Sequence, residues 1–103
     1  MTLSLFITPQ ARRDVKSIAQ YLEEHNVTAA RRFAQAVGKT AELLCHDPEL
    51  GERLRSDPTG LIRYRTILEF RNYLIFYRRT GSSLEILHVL HGATDDESWQ
   101  MTY

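Results

Sequence analysis

The chain has 103 residues, of which 43% are hydrophobic and 25% charged, and its formal net charge is zero. This length suits one domain with a single core, so we expect one domain over residues 1–103. Zero net charge argues against a wholly basic nucleic-acid-binding protein. Charge is nevertheless segregated: arginines outnumber acidic residues between positions 53 and 79, and three acidic residues follow at 95–97. The composition therefore leaves room for a local positive surface.

Cysteine content and hydropathy indicate the cellular compartment in which the protein is expected. Cys45 is the one cysteine in the sequence, so an intrachain disulfide is excluded. No run reaches the roughly 18 apolar residues of a membrane span, and the first residues lack the basic start of a signal peptide. We expect a cytoplasmic protein without a membrane partner. Because no Gly-rich phosphate loop or Cys/His ligand set occurs, we expect neither a cofactor nor a metal.

The first half of the sequence predicts a strand followed by a helical hairpin. Leu3–Ile7 alternates as a strand does, and Thr8 and Pro9 supply an N-cap and a first helical residue. We expect Asn26 to end the first helix in a left-handed conformation and Thr28 to cap the second. Apolar residues recur at helical spacing in both segments: Ala11, Val15, Ile18, Ala19 and Leu22, then Ala30, Phe33, Ala34, Val37, Ala41 and Leu44.

Two further features refine the helical hairpin. Gly38 lies inside the second helix, where glycine is unfavourable by about 1 kcal/mol relative to alanine. We expect it to allow close packing against the first helix. Asp47 and Pro48 should end the second helix, because proline does not continue one. A loop is then predicted over residues 49–60.

The second half predicts three strands, Ile62–Phe70, Tyr73–Arg79 and Leu84–His91. Arg71-Asn72 is expected to form the first turn, and Thr80–Ser83 contains the second. Short connections make these strands an antiparallel meander. The predicted fold class is therefore α+β: a two-layer sandwich with an N-terminal strand, an antiparallel helical hairpin and a three-stranded antiparallel meander.

The middle strand of this meander is apolar on both faces. Alternation places Tyr73, Ile75 and Tyr77 on one face and Leu74 and Phe76 on the other. One helical layer covers a single face, so a protein partner is expected to cover the other, or the grooves around the helical hairpin. Aromatic side chains dominate interface energetics. The expected anchors for this partner are Phe70, Tyr73 and Tyr77.

The order of motifs along the chain resembles the ParE branch of the RelE/ParE toxins of type II toxin–antitoxin systems. The motifs that carry the resemblance are Ala11-Arg12-Arg13-Asp14, Ile18-x-x-Tyr21-Leu22, Ala29-Ala30-x-x-Phe33, Pro48-x-x-Gly51, Tyr73-x-Ile75-Phe76-Tyr77-Arg78 and Ile86-x-x-Val89-Leu90-His91-Gly92-Ala93-x-Asp95. The sequence departs from the family at Thr94, where a basic residue is common, and at the expected turn Arg71-Asn72, where relatives often carry glycine.

The resemblance implies a small antiparallel sheet on a helical hairpin and a cognate antitoxin whose C-terminal segment wraps the toxin. It also implies non-enzymatic inhibition of DNA gyrase, with no sequence-specific nucleic-acid binding. The residues expected to contact the target are Arg63, Arg65, Arg78, Arg79, His91 and Trp99.

The alternative is a RelE-like, ribosome-dependent mRNA endoribonuclease. Metal-free RNA cleavage needs a base, an acid and cations that stabilise the phosphorane. Glu69 or His91 would then act as base or acid, and Tyr103 as an acid or stacking group. The cation would be Arg65, Arg71 or Arg78. His88 and His91 are three residues apart on one strand, which predicts opposite faces and no shared metal.

Overall fold

The computed structural model describes residues 2–92. Its elements are β1 (Ser4–Ile7), α1 (Pro9–Glu23), α2 (Val27–His46), β2 (Glu52–Arg53), β3 (Ile62–Ile67), β4 (Phe70–Thr80) and β5 (Ser83–His91). The strands form one sheet in the order β1-β5-β4-β3-β2. β1 runs parallel to β5, and the other neighbours are antiparallel. The predicted α+β fold is confirmed, and β2 is an addition within the predicted loop.

Within residues 2–92, neither helix combines the length and the apolar character that crossing a bilayer requires.

Side-chain caps define where both helices begin. The Thr8 hydroxyl accepts a hydrogen bond from the backbone N–H of Ala11 and donates one of 2.7 Å to the carbonyl of Ile86. Thr8 therefore caps α1, as predicted, and also attaches its start to β5. The prediction for Asn26 is wrong: its backbone is extended, and its side-chain oxygen accepts from the N–H of Ala29. Asn26, and not Thr28, is thus the cap of α2.

The buried face of α2 is wider than predicted. Ala34 is exposed, in contrast to the prediction, whereas Ala36, Thr40 and Cys45 are buried. The helix contacts both α1 and the sheet, so its buried surface is wider than the single apolar stripe that the sequence predicts. Gly38 is exposed, and a Cβ placed on it would meet nothing within 4 Å. The expected close packing at Gly38 is therefore wrong.

The β3–β4 turn lies at Leu68-Glu69 and not at the predicted Arg71-Asn72. Glu69 adopts a positive φ of 70°. Contacts from α2 fix this position: the N–H of Leu68 donates to the Thr40 hydroxyl, and Arg32 pairs with Glu69 at 2.9 Å. The residues predicted to form the turn therefore extend β4.

The two faces of the sheet have different environments. The helices cover one face, where Phe33 and Leu44 from α2 pack with Ile75, Tyr77 and other strand residues in the main core. The opposite face carries a second apolar cluster. We call this the open sheet face; its residues are Leu54, Ile62 and Phe76, which are buried, and Tyr64, Leu74, Leu87 and Leu90, which are partly buried. The predicted two-sided apolar character of β4 is thereby confirmed.

Candidate functional site

The open sheet face has an apolar centre with a cleft at one side. Phe76 lies at the centre and is only 1% exposed. Leu74 and Leu90 are register partners on β4 and β5, so their side chains lie next to each other. The cleft, of about 430 Å³, lies between the loop at 54–59 and the side chains of Ile62, Arg78 and Leu87. The surface offers an apolar ligand a concave contact area.

Asp57 fixes the loop that borders this cleft. Its carboxylate accepts hydrogen bonds from the backbone N–H groups of Thr59, Leu61 and Ile62 and from the Thr59 hydroxyl. Although burial alone would raise it, these hydrogen bonds lower the pKa of Asp57. The carboxylate therefore stays ionised and holds the loop in one course beside the sheet.

Arg78 places a cation at the edge of the cleft. Its Nε donates to Glu85 at 2.7 Å, and the Thr80 hydroxyl also donates to this carboxylate. The hydrogen bond from Arg78 lowers the pKa of Glu85. Arg78 remains 43% exposed, so its guanidinium retains donors that face solvent.

Two of the three predicted partner anchors, Tyr73 and Tyr77, are buried on the helix side of the sheet. Tyr73 is 8% and Tyr77 1% exposed, and both belong to the core beneath the helices. Phe70 and Tyr73 each pack edge-on against Phe33, with centroid separations of 5.3 and 5.1 Å. Tyr73 and Tyr77 are therefore core residues beneath the helices and not exposed partner anchors, and Phe70 is partly buried against the same core. The partly buried apolar residues of β4 and β5 on the open sheet face are instead Leu74, Leu87 and Leu90.

Tyr77 has a structural role that explains the Pro48-x-x-Gly51 motif. Its hydroxyl donates to the carbonyl of Pro48 and accepts from the N–H of Gly51, both at 2.8 Å. A Cβ on Gly51 would lie 2.5 Å from that hydroxyl. Burial raises the pKa of Tyr77, against the opposing effects of the Gly51 N–H and Arg63. The neutral phenol therefore holds the segment after α2 against the sheet.

Most arginines expected to contact a target are oriented by backbone carbonyls. Arg63 donates to the carbonyl of Gly51 at 2.7 Å, and Arg65 donates to that of Leu50 at 3.3 Å. Arg79 donates through Nε to the carbonyl of Gly81. Since these acceptors are neutral, the arginines keep their positive charge while their side chains are held in place.

Arg78 lies at the opposite end of β4 from Glu69, Arg71 and His91, which are also proposed for RNA cleavage. Glu69 accepts a hydrogen bond from Arg32, with Arg71 exposed close by in sequence. His91 is paired with Tyr73 at the same end of β4. Arg78 lies five residues after Tyr73 on β4, which is a distance of roughly 16 Å along an extended strand. A single scissile phosphate therefore cannot contact both Arg78 and His91.

Asp14 is an unpredicted link between α1 and β5. Its Oδ2 accepts from the N–H of Val89 at 3.0 Å and lies 3.1 Å from Nδ1 of His88. Both side chains are nearly buried. This contact gives the Ala11-Arg12-Arg13-Asp14 motif a structural reason, which helical periodicity does not reveal because Asp14 is polar. Across residues 2–92, no cluster of three His, Cys, Asp or Glu residues is arranged to hold a metal.

Trp99 and Tyr103, together with Thr94 and the acidic residues at 95–97, lie outside the described residues.

Comparison with known proteins identifies the class. Residues 5–96 match the family model described as the ParE toxin of type II toxin–antitoxin system, parDE. The fold is similar to a chain of the chromosomal ParDE toxin–antitoxin system from P. aeruginosa, with a TM-score of 0.74, 20% identity, and coverage of 87% of this chain and 96% of that one. It is also similar to a chain of the RelBE2 toxin–antitoxin complex from Mycobacterium tuberculosis, with a TM-score of 0.62, 21% identity, and coverage of 88% and 99%. No curated protein matches significantly.

The fold and the family match define a toxin of the RelE/ParE superfamily. The chain belongs to the ParE toxin family of type II toxin–antitoxin systems.

Proposed function

We propose that this ParE-family toxin inhibits DNA gyrase in the cytoplasm by binding it, and that a cognate antitoxin silences it by covering the open sheet face. Family membership supports the toxin role. The observation that carries the antitoxin part is the set of partly buried apolar side chains packed around Phe76, on the side of the sheet opposite the helices: Tyr64, Leu74, Leu87 and Leu90. A surface of this kind favours a protein partner over solvent.

A binding mechanism fits the chain better than catalysis. RNA cleavage requires a base, an acid and cations around one phosphate. Arg78 and Glu85 form an ion pair at one end of β4, whereas Glu69 and His91 lie near the other. The centre between these ends is apolar, with Phe76 and Leu74. The separation of Arg78 from Glu69, Arg71 and His91 supports an inhibitor that acts through contact.

The chemistry of the open sheet face indicates what the antitoxin segment contains. Leu74, Leu90 and the cleft beside Ile62 accept apolar side chains. Arg78 at the cleft edge favours a carboxylate nearby. The antitoxin segment is therefore apolar and acidic, as in a chain that becomes ordered on binding.

Two assays run in parallel test the target. Purified toxin is added to a gyrase supercoiling reaction and to a translation extract with a defined message. We expect loss of supercoiling and an intact message. Message cleavage at defined codons with normal supercoiling would establish the endoribonuclease alternative, and no effect in either assay would contradict a toxin of either kind.

Leu90→Glu is expected to weaken antitoxin binding by about a hundredfold, because it places a charge within the apolar contact area. The matched control is Leu43→Glu, which makes the same change at a partly exposed position on α2. Binding is measured by calorimetry with the protein encoded beside this chain, after thermal melts confirm that both variants fold.

Unchanged affinity for Leu90→Glu would remove the open sheet face from the antitoxin interface. Loss confined to Leu43→Glu would assign the interface to the helices instead.

A further inference from the structure

Two arginines face each other across the β2–β3 pair. Arg53 is the register partner of Arg63, which in turn is the register partner of Tyr77 on β4. Directly opposed residues of antiparallel strands share one face of the sheet. Two guanidinium groups therefore project to the same side, an arrangement that is destabilising unless an anion lies between them.

A third arginine lies on the same face of the sheet. Arg79 lies two residues after Tyr77 on β4, so it projects to the same face. Arg53, Arg63 and Arg79 line one depression of about 170 Å³, next to Tyr77 and the segment that follows α2. Glu49 contributes the one carboxylate among the residues that line it, so cations predominate.

The cluster is held in place without being neutralised. Arg63 is fixed by the carbonyls of Gly51 and Glu49, and Arg79 by that of Gly81. The ion pairs found within residues 2–92 involve Arg32, Arg78 and His88, and none of the three clustered arginines. Each guanidinium has five N–H donors, so several remain for a ligand.

We propose that the depression formed by Arg53, Arg63 and Arg79 binds a phosphodiester group of a nucleic-acid backbone. A guanidinium matches two phosphate oxygens with parallel N–H donors, and preorganisation reduces the entropy lost on binding. Contacts to the phosphate backbone of a nucleic acid position a protein on it without selecting a sequence. The site lies apart from the open sheet face and is therefore a second binding surface. The proposal that it binds phosphate does not depend on which molecule the toxin inhibits.

The test compares two double variants with equal charge change. Arg53→Gln/Arg79→Gln removes two cations from the depression, and Arg12→Gln/Arg31→Gln removes two exposed cations from the helices. Binding of the purified chain to a labelled DNA duplex and to a labelled single-stranded RNA is measured by fluorescence anisotropy at about 50 and 200 mM salt.

We expect the depression variant to bind about tenfold more weakly, with the slope of log affinity against log salt reduced by about two, and the helix variant to bind like the parent. Tighter binding of the duplex assigns the phosphate to DNA, and tighter binding of the single strand assigns it to RNA. Equal loss in both variants would overturn the proposal, as would the absence of binding to either probe at the lower salt. Antitoxin binding, measured alongside, stays unchanged in both variants.

Discussion

Gly51→Ala is expected to lower the free energy of unfolding by about 3 kcal/mol. The added Cβ would lie 2.5 Å from the Tyr77 hydroxyl and 2.7 Å from the carbonyl oxygen of Tyr64. One of these neighbours is backbone within β3 and the other is a hydroxyl held by two hydrogen bonds, so neither moves without cost. Urea denaturation followed by circular dichroism measures the loss.

The chain provides its own control for this substitution. Gly38→Ala places the same methyl group on an exposed helical position with nothing within 4 Å, and should stabilise the protein by up to about 1 kcal/mol. In the double variant Gly51→Ala/Tyr77→Phe, the hydroxyl that the added methyl group meets is absent. The loss of stability should therefore be smaller than the sum of the losses in the Gly51→Ala and Tyr77→Phe single variants. Similar stability changes for Gly51→Ala and Gly38→Ala would contradict the close approach of the segment after α2 to Tyr77.

Asp14→Ala is expected to destabilise the chain by about 3 kcal/mol. The substitution leaves the N–H of Val89 without its acceptor and removes one partner of His88, in a region where water has little access. Asp14→Asn retains a carbonyl oxygen that can accept from Val89, so its loss should be less than half as large. Thermal melts of both variants give the comparison.

Equal destabilisation by Asp14→Ala and Asp14→Asn would show that charge, and not the hydrogen bond to Val89, holds α1 on β5. No destabilisation by either would contradict the contact itself.

Local chemistry determined the parts of the fold that were predicted well. Thr8 and Pro9 start α1 through contacts within the first turn, so sequence alone is sufficient there. The position of the β3–β4 turn was predicted wrongly because contacts between distant residues determine it. Thr40 is 28 residues from its partner Leu68, and Arg32 is 37 residues from its partner Glu69. Asn26 was misassigned because the same residue type suits a helix end and a helix start.

The candidate site was predicted only in part, for a similar reason. Alternation along β4 shows that both faces are apolar, but it does not tell which face the helices cover. Tyr73 and Tyr77 were therefore expected at an interface and lie in the core. The opposition of Arg53 and Arg63 was also missed, because β2 has two residues and lies inside the predicted loop.

Trapped gyrase–DNA cleavage complexes test the proposed function most directly. Gyrase and supercoiled plasmid are incubated with purified toxin, with and without an equimolar amount of the antitoxin, and linear DNA is quantified after proteolysis. We predict that linear DNA accumulates with toxin alone and disappears when the antitoxin is present. Plasmid that stays uncleaved with toxin in large excess over gyrase would contradict the proposal.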